Sequence, residues 1–260
     1  MDISYNIVGK GVPIIFIHGI GSRKYAWNDV IDVLKNEYQC ITYDLRGHGE
    51  SVFDESNFTL DDLVEDLENL RFHLNIDKTH LVGHSLGGMI GPAYAKTYYD
   101  KVISVSLLST AAFRNISDQN KILNIINKIE NEGIDSVLTI LINRWFTDEF
   151  IKNNRDKIDR RCKQVQETPT KTFLNVFRIY ALTEMSPWLN QIKIPSLVIT
   201  GENDIGCNPY INKKIADTLS NSKLEILDNL KHAITLEASQ QVGSKIKTFL
   251  NDLKNYSITT

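Results

Sequence analysis

The chain has 260 residues, 42% hydrophobic and 23% charged, with a formal net charge of −3. That length suits one globular domain with an insertion better than two independent domains, and the weak charge offers no field to draw nucleic acid or an anionic membrane. No apolar run approaches the roughly 20 residues that span a bilayer, and three scattered cysteines, Cys40, Cys162 and Cys207, make neither a disulfide framework nor a zinc motif. The opening Met-Asp-Ile-Ser lacks a basic segment followed by an apolar one, so the reading is a cytoplasmic protein with reduced thiols and no signal peptide.

In chain order, Pro13–His18 is an apolar, β-branched run closed by glycine and reads as a buried strand. Tyr25–Asn36 reads as a helix and Gln39–Asp44 as a second strand, followed by the loop Leu45–Ser51. Thr59–Leu74 is an amphipathic helix: Leu60, Leu63, Val64, Leu67 and Leu70 recur at three- and four-residue steps, and Thr59 with Asp62 forms a capping-box pattern. A strand over Thr79–Gly83, a helix over Leu86–Tyr98 and a strand over Val102–Leu108 complete a βαβα order, which implies a parallel sheet covered by helices on both faces.

The rhythm then changes. Gln119–Glu130, Ser136–Trp145, Phe150–Thr168 and Thr170–Leu182 read as helices with no strand between them. Strands return at Pro195–Thr200 and Leu224–Leu227, followed by helices over Pro209–Leu219 and Leu236–Leu253 and a frayed polar tail, 255–260. The expected organisation is an α/β core from 1–111 and 190–260, with a helical cap, 112–189, inserted in it.

The strongest chemical signal is Gly83-His84-Ser85-Leu86-Gly87-Gly88, between a predicted strand and a predicted helix. A serine at so sharp a turn stands above the sheet edge, and the following N–H, of Leu86, lies at a helix N-terminus where negative charge is stabilised. His18-Gly19-Ile20-Gly21 follows the first strand and supplies a second donor, the N–H of Ile20. Gly201-Glu202-Asn203-Asp204 follows a later strand; Asp204, at the loop apex, is the carboxylate expected to orient a histidine, with Glu202 as its competitor. The alternative acid position, after the strand that follows the elbow helix, reads Ser106–Thr110 and holds no carboxylate. Of six histidines only His232 comes late on a loop at the correct sheet edge; His18 and His48 read as loop organisers, His73 and His80 as surface or packing residues, and His84 as pointing away from the pocket. The order Ser85, Asp204, His232 then gives nucleophile, orienting acid and general base. Acids and histidines show no ligand spacing, and no nucleotide fingerprint is present, so no metal or cofactor is expected.

Together, His18-Gly19, Asp44–Ser51, Gly83–Gly88, Gly201–Asp204 and His232 resemble the α/β-hydrolase superfamily over nearly the whole chain. Gly87–Gly91, Arg144-Trp145-Phe146-Thr147 and Ile194–Ile199 are similar to 3-oxoadipate enol-lactonases, although this chain has Gly-His-Ser where Gly-Leu-Ser is common in them. The resemblance implies a serine esterase or lactonase working through an acyl-enzyme on a small ester or lactone, with no nucleic acid or membrane partner and an oligomeric state that the sequence leaves open. It also implies substrate contacts from Trp145, Phe146 and Arg144 or Arg178. A carbon–carbon bond hydrolase, a cofactor-free perhydrolase or a ligand-sensing relative of the same fold would share these motifs.

Overall fold

The computed structural model describes residues 3–51 and 57–258. Seven strands, β1 (Tyr5–Val8), β2 (Val12–Ile17), β3 (Tyr38–Tyr43), β4 (Thr79–His84), β5 (Val102–Leu108), β6 (Ser196–Gly201) and β7 (Ser222–Leu227), form one sheet in the order β1-β3-β2-β4-β5-β6-β7. All neighbours are parallel except β1, which runs antiparallel to β3. The α/β fold expected from the strand–helix alternation is the fold observed.

Alternation along the central strands sorts their side chains into two cores. Ile15 and Ile17 of β2 join Ile41, Leu81, Val105 and Leu107 on one face, beneath α2 (Leu60–His73) and α3 (Gly87–Thr97). Ile14 and Phe16 join Cys40, Val82, Leu108 and Ile199 on the other, beneath α1 (Asn28–Ile31) and apolar residues of the C-terminal helix. A strand buried on both faces favours apolar residues at successive positions, so Ile14–Ile17 of β2 and Leu197–Ile199 of β6 read as continuous apolar runs. Truncating such a residue to alanine costs about 2–5 kcal/mol.

Helix α2 starts where expected. Thr59 Oγ1 accepts from the Asp62 N–H, and Asp62 Oδ2 accepts from the Thr59 N–H, which is the reciprocal capping box. The segment predicted as a helix over Tyr25–Asn36 is instead a 3₁₀ turn, Lys24–Trp27, followed by the four residues of α1. Anchoring overrides helical propensity here: Trp27 packs on Phe16 at 5.2 Å, and the buried Lys24 ammonium is fixed by Asp44 and Glu50.

Five helices, α4 (Ile116–Glu132), α5 (Asp135–Trp145), α6 (Asp148–Asn153), α7 (Arg155–Glu167) and α8 (Thr170–Leu182), stand between β5 and β6. The predicted helix Phe150–Thr168 is two helices, because Asn154 leaves the helical region and its side-chain amide donates to the Phe150 carbonyl, ending α6. Three more follow: α9 (Pro209–Thr218), α10 (Ile234–Glu237) and α11 (Ser239–Ile258). The helix expected over Leu236–Leu253 is likewise divided, at Ala238, between α10 and α11. The backbone of α11 runs on to Ile258, through most of the tail read as frayed; 259–260 and the first two residues of the chain lie outside the described residues. Among the described residues no helix is long and apolar enough to cross a membrane.

Candidate active site

The loops after β2, β4, β6 and β7 meet at the carboxyl edge of the sheet, around a cavity of about 220 Å³. Ser85 follows β4 directly. Its φ of 55° places it in the left-handed region, a strained position for a residue with a side chain that costs on the order of 1–3 kcal/mol. The surroundings hold it there: its N–H donates to the Leu108 carbonyl at 2.8 Å, and its carbonyl accepts from Thr110 Oγ1 at 3.0 Å. The turn also needs glycine at 87, since a Cβ there would stand 2.1 Å from the Ile17 carbonyl oxygen. Gly19 lets the β2 loop approach as well, for a Cβ at that position would lie 3.1 Å from Ser85 Cβ. Among the described residues, the N–H groups of Ile20 and Leu86 have no hydrogen-bond partner.

Across the cavity, His232 Nδ1–H donates to Asp204 Oδ2 at 2.7 Å. The other oxygen of Asp204 accepts from the backbone N–H groups of Gly206, at 3.0 Å, and Cys207, at 2.8 Å. Burial alone would raise the Asp204 carboxyl, but the His232 charge, its hydrogen bond and the two amides hold it below the ordinary range. Burial also disfavours the His232 cation, yet the Asp204 charge and hydrogen bond prevail and raise this imidazole above its ordinary value. Glu202 is turned to the surface, where it accepts from the Asn229 N–H, so Asp204 is the carboxylate that meets the histidine.

Two other histidines border the cavity. His18 and His84 are each pushed down to about 3, chiefly by burial, and are neutral at physiological pH. His18 Nε2 accepts from the Leu45 N–H while its Nδ1–H donates to the Gly19 carbonyl, the loop-organising part expected of it. His48 does similar work, accepting from the Gly21 N–H at 3.1 Å and donating to the Arg46 carbonyl. His84 corrects the sequence reading. Its ring faces the cavity, and Nε2–H donates to the His232 carbonyl at 2.9 Å. His73 lies at the surface, and His80 is buried against Ser104, as packing roles require.

Trp145, Phe146 and Arg144 all line the cavity. Arg178 does not: it is ion-paired with Glu130 on the outer surface, which removes it from the substrate contacts. The structure adds an arginine that the sequence reading passed over. Arg161 of α7 is 8% exposed, stacks over Trp145 at 4.5 Å, and donates to the carbonyls of Gly21 and Ile20 at 2.5 and 2.8 Å. Among the described residues it has no carboxylate partner. Burial, then the nearby Arg23, lower its guanidinium to about 9. Its signal was present in the sequence, because Ile158, Arg161 and Val165 fall on one buried stripe of α7, and an arginine on such a stripe is anomalous.

Residues 12–131 match the family model described as alpha/beta hydrolase fold. The chain is 30% identical over 208 residues to 3-oxoadipate enol-lactonase 1 of Acinetobacter baylyi, covering 78% of this chain and 76% of the relative. It is 28% identical to a proline iminopeptidase of Clostridioides difficile, with 95% and 94% covered. The solved enol-lactonase from Burkholderia xenovorans superposes with a TM-score of 0.89 over 96% of both chains, at 22% identity. With its sheet order, its elbow serine and this likeness to known proteins, the chain belongs to the α/β-hydrolase fold family.

Proposed function

We propose that this protein is a serine hydrolase of small carboxylic esters or lactones that carry a carboxylate, working through an acyl-enzyme on Ser85. The observation that carries the reading is the Asp204–His232 pair opening onto the same cavity as a serine held at positive φ. Asp204 keeps the His232 proton on Nδ1, which leaves Nε2 to take the Ser85 proton during attack on the carbonyl carbon. The N–H groups of Ile20 and Leu86 receive the developing oxyanion, each worth about 3 kcal/mol. His232 then returns the proton to the leaving oxygen, and water, deprotonated by the same nitrogen, releases the acid. Side chains, backbone and water suffice for every step.

Three features support the narrower substrate class. Helices 112–189 act as a cap, and with the sheet edge they enclose a space of small-molecule size. Half-buried Arg144 lines that space with no ion-pair or hydrogen-bond partner among the described residues, and so offers a free guanidinium to a substrate carboxylate. Two relatives bear the name enol-lactonase.

Turnover of a panel of aryl esters, neutral lactones and anionic lactones tests the reading. Anionic lactones are expected to be preferred, and no turnover of any ester or lactone would overturn it. Arg144→Met is expected to raise KM for anionic lactones by about tenfold or more, the worth of one charged hydrogen bond, and to leave KM for neutral esters within a factor of about two. Equal effects on both classes would remove Arg144 from substrate recognition. Arg161→Met acts elsewhere. By freeing the Ile20 and Gly21 carbonyls it is expected to lower kcat on neutral and anionic substrates alike, by roughly 10- to 100-fold, because a misplaced oxyanion donor weakens only the transition state. An effect confined to KM would instead make Arg161 a substrate-binding group.

A further inference from the structure

We propose that Asp204, Cys207 and His232 form a binding site for a zinc-class divalent cation, and that a cation held there switches the hydrolase off. Residues 204, 207 and 232 come from the loops after β6 and β7, so no ligand spacing appears in the sequence. In the fold one donor atom from each lies within 4.8 Å of the others. A tetrahedral ion with bonds of about 2.0–2.3 Å holds its ligands roughly 3.3–3.8 Å apart, so closing the set takes side-chain shifts of about 1 Å or less.

The thiol is in a fixed position. The Cys207 carbonyl accepts from Thr200 Oγ1 and from Asn212 Nδ2, both at 2.6 Å, and Sγ lies 3.3 Å from the Tyr180 hydroxyl. Cys207 is fully buried from bulk water, and it borders the cavity through which an ion would enter. Nothing in the hydrolytic scheme uses this thiol. One sulfur, one imidazole nitrogen and one carboxylate oxygen suit Zn²⁺ or Cd²⁺, whereas Mg²⁺ and Ca²⁺ take oxygen donors.

Inhibition follows from the proton balance. In the free protein the imidazole carries its proton on Nδ1, toward Asp204, and Nε2 is the base. An ion bridging Asp204 Oδ2, Cys207 Sγ and His232 Nδ1 takes the place of that proton, which moves through solvent to Nε2. The thiol loses its proton, so one proton leaves per ion bound where the imidazole is neutral, and two where it is protonated. An imidazole with the metal on Nδ1 and hydrogen on Nε2 has no lone pair left to accept the Ser85 proton. The inhibitory half of the proposal rests on the hydrolase reading; the binding half does not.

The experiment uses the full chain without a histidine tag. With aryl ester as substrate, micromolar zinc chloride is expected to lower the rate at least tenfold, EDTA to restore it, and magnesium chloride to do nothing. In Cys207→Ala, with each rate referred to that protein's own metal-free value, the zinc midpoint is expected to rise about 100-fold. Independently of turnover, Co²⁺ is expected to bind one per chain with a thiolate-to-metal absorption band that Cys207→Ala abolishes and Ser85→Ala retains. Equal zinc sensitivity in wild type and Cys207→Ala overturns the proposal, as does the lack of a cobalt–thiolate band. A cobalt band without zinc inhibition overturns the switch. A protein that hydrolyses nothing yet shows the band refutes the hydrolase reading and leaves the site standing.

Discussion

Ser85→Ala is expected to lower kcat by at least ~10⁴-fold while leaving the protein folded and able to bind substrate. The size of the effect follows from what remains. Without the hydroxyl no acyl-enzyme forms, and the neighbouring N–H groups can only polarise a carbonyl for direct attack by water. The fold tolerates the change because the strain at this position belongs to the backbone. Alanine has the same Cβ at the same φ of 55°, and the bonds from the residue's N–H to Leu108 and from Thr110 to its carbonyl persist. Thermal unfolding should therefore shift by only a few degrees. A substrate or product analogue should bind the variant with nearly wild-type affinity, as measured by calorimetry. Turnover within about tenfold of wild type would overturn the assignment of Ser85 as nucleophile. A wild-type protein that binds lactones without turning them over would favour the ligand-sensing reading of the same fold.

Much of this arrangement was legible in the residues, for identifiable reasons. Strands buried on both faces favour apolar residues at successive positions, so Pro13–His18 stood out, as did Val102–Leu108 despite its two buried serines, and both were located to within a residue. The capping box of Thr59 and Asp62 fixed the start of α2 because both partners are local. What escaped was non-local. Strand β1 is a four-residue edge strand, half-exposed and paired antiparallel with β3, so neither its length nor its burial announces it. His84, beside the nucleophile in sequence, was expected to point away from the cavity, as an alternating strand would turn it. The left-handed turn at Ser85 breaks that alternation, and both side chains reach the same space. Arg178 lost its proposed part to a surface carboxylate from another helix, and Cys207 gained His232 as a neighbour from a loop more than twenty residues away.

Asp204→Asn is expected to lower kcat by about 10³–10⁴-fold and to move the acid limb of the pH–rate profile to lower pH. Both effects come from the hydrogen bonds at this position. One oxygen of Asp204 accepts from the N–H groups of Gly206 and Cys207, and the other from His232 Nδ1–H. An asparagine keeps its carbonyl on the two backbone donors, so its NH₂ must face His232. Nδ1 then becomes an acceptor, the imidazole proton sits on Nε2, and the nitrogen that should receive the Ser85 proton is occupied. The pH shift has a definite sign. His232 acts as base only when neutral, and in the wild type the Asp204 charge raises its pKa against the opposing effect of burial, so the rate climbs with pH through a range above the ordinary histidine value. With that charge removed, burial prevails and the climb occurs at lower pH. Steady-state rates for both proteins from about pH 5 to 10 give the two limbs directly. A variant retaining more than about a tenth of wild-type kcat would mean that another group orients His232. A limb that stays in place would mean that the titration controlling the rate belongs to some group other than this pair.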